Sequence, residues 1–261
     1  MRYNTISIQK IFIFPNTICE NLWRKDMGYN DAFTTTSYLE MIQEFKNNGY
    51  ILSKFNGNLS NKISLVIRHD IDVDVTAALS MAELEQENEI TSTYFISMRS
   101  PFYNPFSLPN LSKINQIHKL GHDIATHINI KLLVGNPFDD IKILQSNFPF
   151  LNTQIATVHH PGSMEAIKKM IDTPVINSTY AQLFDDTVGY ISDSTGKWRY
   201  GHPLDTESLR VRKSLIMLTH PIWWIENGAT PREKMTNFLK KERFDISDIE
   251  NFLPTFYKDN Y

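Results

Sequence analysis

The chain has 261 residues, of which 41% are hydrophobic and 21% charged, and its formal net charge is −3. This length suffices for one large core, and the nearly balanced charge argues against nucleic acid as a partner. The single cysteine excludes a disulfide within the chain. No apolar run reaches the roughly 18 residues of a membrane span, and the N-terminus does not resemble a signal sequence. We therefore expect a cytoplasmic protein.

Hydrophobic periodicity predicts helices and strands in alternation along most of the chain. Residues 1–33 lack clear periodicity and are predicted to form an irregular N-terminal extension, followed by one domain over 34–261. In chain order, the predicted elements are a helix from Thr36 or Ser37 to Asn47, a strand over 63–67, a helix over 75–88, a strand over 91–98, a helix over 110–120, a strand over 123–126, a helix over 138–147, a strand over 154–158, a helix over 163–171, and short strands near 174–177, 190–193 and 215–218.

A strand followed by a helix, repeated along the chain, indicates a parallel sheet with crossover helices. Such a sheet forms either a barrel or a doubly wound fold. In an α/β barrel the carboxyl ends of the strands meet on one face, where active sites form.

Several predicted strands end abruptly in acidic or histidine residues, which predicts a cluster on that face. The residues are Asp70 and Asp72 after ISLVI, His127 after DIAT, His159 and His160 after IATV, Asp193 after YIS, and His220 after LIMLT. Because alternate residues of an extended segment share one side, Asp70 and Asp72 are expected to face the same way, with His69 pointing away from them as a structural residue.

Carboxylate and imidazole ligands without a cysteine cluster favour a catalytic divalent metal site, with Zn²⁺ as the expected ion. Such an ion keeps one position open, polarises a carbonyl and activates water.

The motifs resemble those of the polysaccharide deacetylases, carbohydrate esterases with the NodB homology fold, over roughly residues 33–224. LVIRHDID resembles the first motif of the family, and TSTYFISM resembles its second strand. GHDIATH resembles the segment that ends in a metal ligand. HHPG, DSTGKWR and LTHPIWW stand where the later motifs are expected. The resemblance implies a single-domain α/β fold, a distorted (β/α) barrel, that removes an acetyl group from an N-acetylated sugar or polysaccharide precursor.

The resemblance also implies roles for individual residues. Asp70 corresponds to the general base, Asp72 and His127 to metal ligands, and His220 to the general acid. Asp193 would orient a catalytic imidazole. Trp198, Arg199 and Trp223 are candidates for binding the sugar, although both tryptophans are equally consistent with packing.

The chain departs from the family pattern at the third metal ligand. The family places a further histidine four residues after the first, and Lys131 stands there. The ligand is therefore expected to be His159 or His160, with His159 favoured because it directly follows the apolar run.

Two further interpretations remain open at the level of sequence. The chain can be a hydrolase of another non-peptide C–N bond on the same fold. Alternatively, Lys131 marks a degenerate, non-catalytic domain that binds carbohydrate or protein. The motif variants are more similar to a branch of the family found with surface-polysaccharide biosynthesis than to secreted deacetylases. The sequence does not specify an oligomeric state.

Overall fold

The computed structural model describes residues 32–55, 63–129, 132, 135–159, 187–198 and 201–241. The predicted N-terminal extension, residues 1–33, lies almost entirely outside these ranges, so its boundary with the domain stays a prediction. The helix predicted over 163–171 and the strand predicted near 174–177 also lie outside the described residues.

Seven strands of the described part form one sheet in which every pairing is parallel. They are β1 (Ile51–Ser53), β2 (Ser64–Ile71), β3 (Thr93–Ile96), β4 (Asp123–Asn129), β5 (Ala156–His159), β6 (Val188–Ser192) and β7 (Ser214–Thr219). The order across the sheet is β5-β4-β3-β2-β7-β6, and β1 pairs with the beginning of β2. Parallel neighbours require crossover connections, and among the described residues helices lie between β2 and β3, β3 and β4, β4 and β5, and β6 and β7.

Seven α-helices accompany the strands in the described residues. They are α1 (Thr35–Asn47), α2 (Val75–Glu87), α3 (Leu108–Lys119), α4 (Pro137–Asn147), α5 (Glu207–Arg210), α6 (Pro221–Ile225) and α7 (Pro231–Lys241). The sequence placed the start of the first helix at Thr36 or Ser37, but Thr34 caps it. The Thr34 side chain accepts from Ser37 N at 3.2 Å, and Ser37 Oγ accepts from Thr34 N at 3.2 Å. Ser37 is therefore the inner partner of a capping box.

The prediction of a distorted α/β barrel is confirmed, since the parallel strands form a curled half-barrel surrounded by helices. Among the described strands, β5 and β6 end the path and do not pair with each other. No described helix is long and apolar enough to cross a bilayer.

The two faces of the sheet are both covered by apolar side chains. The inner face holds a small cluster that includes Val66, Phe95 and Ile216. The outer face packs against the helices through a larger cluster that includes Ile71 and Tyr94. Strand β2 is buried along its whole length, so each of its polar side chains must find a partner within the protein.

The outer face of β2 contains a buried polar network centred on Glu85 of α2. The Glu85 carboxylate accepts hydrogen bonds from the hydroxyls of Tyr38, Ser92 and Tyr94 at 2.5, 2.6 and 2.8 Å. It also pairs with His69 Nε2 at 2.9 Å. Burial raises the pKa of Glu85, but the charge of His69 and the hydrogen bonds outweigh burial and lower the pKa to about 2. As alternation predicts, His69 lies on the face opposite Asp70.

Substitution Glu85→Ala is expected to lower the free energy of unfolding by about 3–5 kcal/mol, because it leaves several buried donors without their acceptor. The matched control is Glu83→Ala on the exposed side of the same helix, which should change it by less than about 0.5 kcal/mol. Urea unfolding at pH 7 measures both variants.

The same network predicts an acid limit to stability. The pKa of Glu85 is lower in the folded protein than its ordinary value of 4.5. Its contribution to the free energy of unfolding is therefore complete above that value and is lost as the pH falls towards about 2.

Equal urea midpoints for Glu85→Ala and Glu83→Ala at pH 7 would contradict the importance of this carboxylate.

Candidate active site

The predicted site residues lie at the carboxyl ends of five strands. Strand β2 extends to Ile71, four residues past the predicted end at Ile67, so Asp70 belongs to the strand and Asp72 directly follows it. The other residues take equivalent places: His127 within β4, His159 as the last residue of β5, Asp193 directly after β6, and His220 directly after β7.

The curl of the sheet brings distant strands together at this edge. Strands β2 and β5 are separated by β3 and β4, which in a flat sheet amounts to about 14 Å. His159 Nδ1 nevertheless lies 3.1 Å from Asp72 Oδ1. The curvature therefore forms the site, and a flat sheet with the same sequence would not.

Asp72, His127 and His159 form the one group among the described residues whose donor atoms are close enough to hold a metal ion. The distance from Asp72 Oδ1 is 3.4 Å to His127 Nε2 and 3.1 Å to His159 Nδ1, and the two nitrogens are 3.2 Å apart. Ligands of a tetrahedral zinc ion lie about 3.3 Å apart, since the bonds are about 2.0–2.1 Å long. The distances between the three donors therefore match those between ligands of a tetrahedral zinc site, so these residues would fit such an ion.

A threonine that the sequence analysis missed orients the His127 ring. Thr157 is the neighbour of His127 across the β4–β5 pairing, and its Oγ1 lies 2.7 Å from His127 Nδ1. When Nδ1 donates to this oxygen, Nε2 keeps the lone pair that a metal requires. Thr157 precedes His159 by two residues on the same face of β5, and this spacing is the signal that could have identified it.

Arg68 holds Asp70 ionised at the inner face of β2. Its guanidinium donates from Nε to Asp70 Oδ1 at 2.8 Å and from Nη2 to Oδ2 at 2.6 Å. Burial raises the pKa of Asp70, but the Arg68 charge and the nearby His127 outweigh burial, so the pKa is lower than usual. Asp70 Oδ2 lies 3.4 Å from His127 Nε2, which places this carboxylate at the border of the candidate metal site.

Asp193 fixes the position of His220 through both of its oxygens. Oδ1 lies 2.5 Å from His220 Nδ1, and Oδ2 accepts from the His220 backbone N–H and from Trp224 Nε1, both at 2.9 Å. The other ring nitrogen, Nε2, lies 3.5 Å from Asp72 Oδ2. Burial lowers the pKa of His220, but the Asp193 carboxylate outweighs burial and raises the pKa to about 9. The imidazole is therefore protonated at neutral pH.

The pKa of Asp72 is also lowered. Burial acts in the opposite direction, but hydrogen bonds from His127 and His159 and the charges of His127 and His220 exceed it. The carboxylate is thus available as a metal ligand over the whole physiological pH range.

The two predicted sugar-binding tryptophans make packing contacts. Trp198 stacks on Phe33, with ring centroids 5.6 Å apart, and Trp223 packs beside the apolar cluster of Val73, Ile222 and Phe238. The Trp223 indole N–H is buried and has no hydrogen-bond partner among the described residues. A sugar-binding role for either residue stays a prediction.

Three residues of the sequence analysis, Lys131, His160 and Arg199, lie outside the described residues. Of the two candidates for the third ligand, the structure therefore places only His159, and it lies among the other donors.

The pKa of His220 provides a direct test of the Asp193 contact. In metal-free protein at 25 °C, we expect the His220 ring to titrate near pH 9, followed by NMR of its ring protons. Asp193→Asn removes the charge that favours the imidazolium, so the midpoint should move down towards the ordinary value of 6.5. The matched control is Asp205→Asn, which removes a carboxylate from the short turn Pro203–Asp205. A His220 midpoint that stays near 9 in Asp193→Asn would refute this contact as the cause.

No protein-family profile and no curated protein matches the sequence. Two solved structures are similar to it. The chitin deacetylase of the fungal pathogen Colletotrichum lindemuthianum has 11% identity and a TM-score of 0.39, over 68% of this chain and 81% of that chain. A peptidoglycan deacetylase of Bdellovibrio bacteriovorus has 14% identity and a TM-score of 0.36, over 75% of this chain and 54% of that chain. Both likenesses are remote.

Proposed function

We propose that the protein is a metal-dependent hydrolase that removes an acetyl group from an N-acetylated sugar. The observation that supports this proposal most strongly is the tetrahedral spacing of Asp72, His127 and His159. This set is bordered by a carboxylate held by arginine and by an imidazole held by a second carboxylate. Together these groups supply a ligand set, a base and an acid, which are the groups that amide hydrolysis by water needs.

The donor set suits a divalent ion of the Zn²⁺ type. One carboxylate and two neutral imidazoles would compensate only part of the charge of a divalent ion, and three protein ligands are the usual number in catalytic zinc sites. An ion held by Asp72, His127 and His159 would polarise the acetyl carbonyl as a Lewis acid and would increase the acidity of water.

Asp70 serves as the general base in this proposal. Its lowered pKa keeps it ionised at neutral pH, and its Oδ2 borders the ligand set, 3.4 Å from His127 Nε2. Arg68 fixes the carboxylate plane through two hydrogen bonds, so that Asp70 accepts the proton of the attacking water without having to reorient.

His220 serves as the general acid. Its Nδ1 is held by Asp193 and its Nε2 lies beside Asp72, so the proton on Nε2 lies at the candidate site. Because its pKa is raised to about 9, the ring is protonated at neutral pH and can donate to the departing amine.

The substrate class is drawn from the sequence motifs. The RHDID, HHPG, DSTGKWR and LTHPIWW variants together favour an acetylated sugar unit of a surface polysaccharide over chitin or peptidoglycan. The carbohydrate would lie against the edge that carries the carboxyl ends of the strands. The motifs suggest Trp198, Arg199 and Trp223 as its contacts, of which Arg199 lies outside the described residues.

Hydrolysis of another non-peptide C–N bond uses the same groups and differs only in substrate. Lys131 suggests the alternative of a non-catalytic binding domain, and in such a domain nothing would require metal-binding side chains to lie close together. The close approach of one carboxylate and two imidazoles from three different segments favours the enzyme.

Two substitutions separate metal binding from the chemical step. Asp72→Ala removes a ligand, so zinc binding and activity should both be lost. Asp70→Asn retains the ligands, so zinc should still bind while kcat falls about 10²- to 10⁴-fold, the usual contribution of a general base. Zinc content is measured by mass spectrometry after dialysis, and activity by release of acetate from an N-acetylated surface polysaccharide on which the wild-type protein is active.

Asp74→Asn serves as the control, because Asp74 caps α2 two residues beyond Asp72 and makes no contact with the ligand set. It should keep both zinc and rate. Full activity of either Asp72→Ala or Asp70→Asn would overturn the assignment of that residue. A wild-type protein that takes up no zinc, even when zinc is added, would favour the binding domain.

A further inference from the structure

The metal ligand Asp72 differs from the other two ligands in its backbone support. His127 and His159 belong to strands whose ladders hold their main chains on the sheet. Strand β2 ends at Ile71, so Asp72 stands beyond the ladder. Its carboxylate must nevertheless stay within 3.1–3.4 Å of two imidazole nitrogens.

Two hydroxyls from the loop between β3 and α3 hold this segment in place. Tyr103 donates from its hydroxyl to the Ile71 carbonyl at 2.7 Å, and Ser100 Oγ donates to the Asp72 carbonyl at 2.7 Å. The carbonyl of the last residue of β2 and that of the residue after it are thereby satisfied by side chains.

Both donors are themselves fixed. The Tyr103 hydroxyl accepts from the Ser97 backbone N–H at 2.9 Å, and Ser100 Oγ accepts from the Phe102 backbone N–H at 3.1 Å. Burial and the nearby charges of Asp72 and Asp70 raise the pKa of Tyr103 well above its ordinary value, so the hydroxyl keeps the proton that it donates. The loop and the end of β2 therefore form one hydrogen-bonded unit.

We propose that Tyr103 and Ser100 are positioning residues for the metal site, which fix the main chain at Ile71 and Asp72 so that the Asp72 carboxylate stays at ligand distance. Neither residue touches the ion or the substrate. The inference rests on the proposed function, because it assumes that Asp72, His127 and His159 bind a divalent cation.

The test measures the affinity of the folded protein for Zn²⁺ by competition with a chromophoric chelator. Substitution Tyr103→Phe removes only the hydroxyl, and Ser100→Ala removes the other donor. Since loss of a group that orients a ligand usually weakens metal binding 10- to 100-fold, we expect the dissociation constant to rise by about this factor in Tyr103→Phe and in Ser100→Ala, because both side chains are half-buried and each bonds one carbonyl of this segment.

Tyr50→Phe is the matched control. The Tyr50 hydroxyl likewise bonds main-chain carbonyls, those of Ser208 and Lys213 at 3.0 and 2.7 Å. Tyr50 directly precedes β1 and Lys213 directly precedes β7, so this contact lies at the end of the strands opposite the site. It should lower stability without changing zinc affinity by more than about twofold, since it supports no ligand. Thermal unfolding of the metal-free proteins measures the loss of stability in each variant separately from any change in zinc affinity.

The outcomes separate the two proposals. A wild-type protein that does not bind zinc contradicts the proposed function itself. A wild-type protein that binds zinc, with unchanged affinity in Tyr103→Phe and Ser100→Ala, overturns only the positioning role, and so does an equal loss in Tyr50→Phe. If Tyr103→Phe does not fold, Ser100→Ala decides the question, because its weaker zinc binding supports the role and unchanged binding overturns it.

Discussion

The concentration of buried carboxylates at one edge of the sheet is the constraint on which the site depends. Asp70 and Asp193 are almost fully buried, and Asp72 lies beside them. A buried carboxylate costs several kcal/mol unless it is paired and hydrogen-bonded. Arg68 compensates Asp70, and His220 with the Trp224 N–H compensates Asp193. Asp72 is compensated by His127 and His159, at 3.4 and 3.1 Å, and by the His220 ring at 3.5 Å, and with the first two it forms the group whose donor atoms are close enough to hold a metal ion.

The two faces of strand β2 carry different polar networks, one at the candidate active site and one that stabilises the fold. Its inner face carries Arg68 and Asp70, whereas the next side chain along, His69, points into the Glu85 network beneath the helices. The two networks share a main chain but face opposite ways. His69 Nδ1 also pairs with Thr219 Oγ1 at 2.6 Å, directly before His220. The outer network thus ties together the ends of β2 and β7, the two strands that carry the proposed base and acid.

Much of the site could be predicted from the sequence because it depends on local rules. Alternation along a strand placed Asp70 and Asp72 on one side and His69 on the other, and the parallel topology placed five strand ends at one edge. The extent of β2 could not be predicted, since Arg68, His69 and Asp70 look like the end of a buried strand until their partners are known. The strand continues because each of them is paired across space.

The contacts that fix the site were the least predictable part. Thr157, Tyr103 and Trp224 act on residues that are between 30 and 32 positions away in sequence, and their neighbours depend on the curl of the sheet. The strand β1 was also missed, because three partly exposed residues carry no clear alternation. The start of α1 was misplaced for a different reason: a capping box contains two hydroxyl residues, and only the structure shows which one lies outside the helix.

The proposed division between base and acid rests on the charge partner that lies beside each group. Strands β2 and β7 are adjacent, yet the pKa of Asp70 is lowered and that of His220 is raised to about 9. Arg68 belongs to the same strand as Asp70, and Asp193 follows the strand next to β7, so each group has its charge partner close at hand. Opposite shifts in neighbouring groups assign acid and base roles in many hydrolases. These partners belong to the protein itself, so the proposed base is ionised and the proposed acid is protonated before any cation binds.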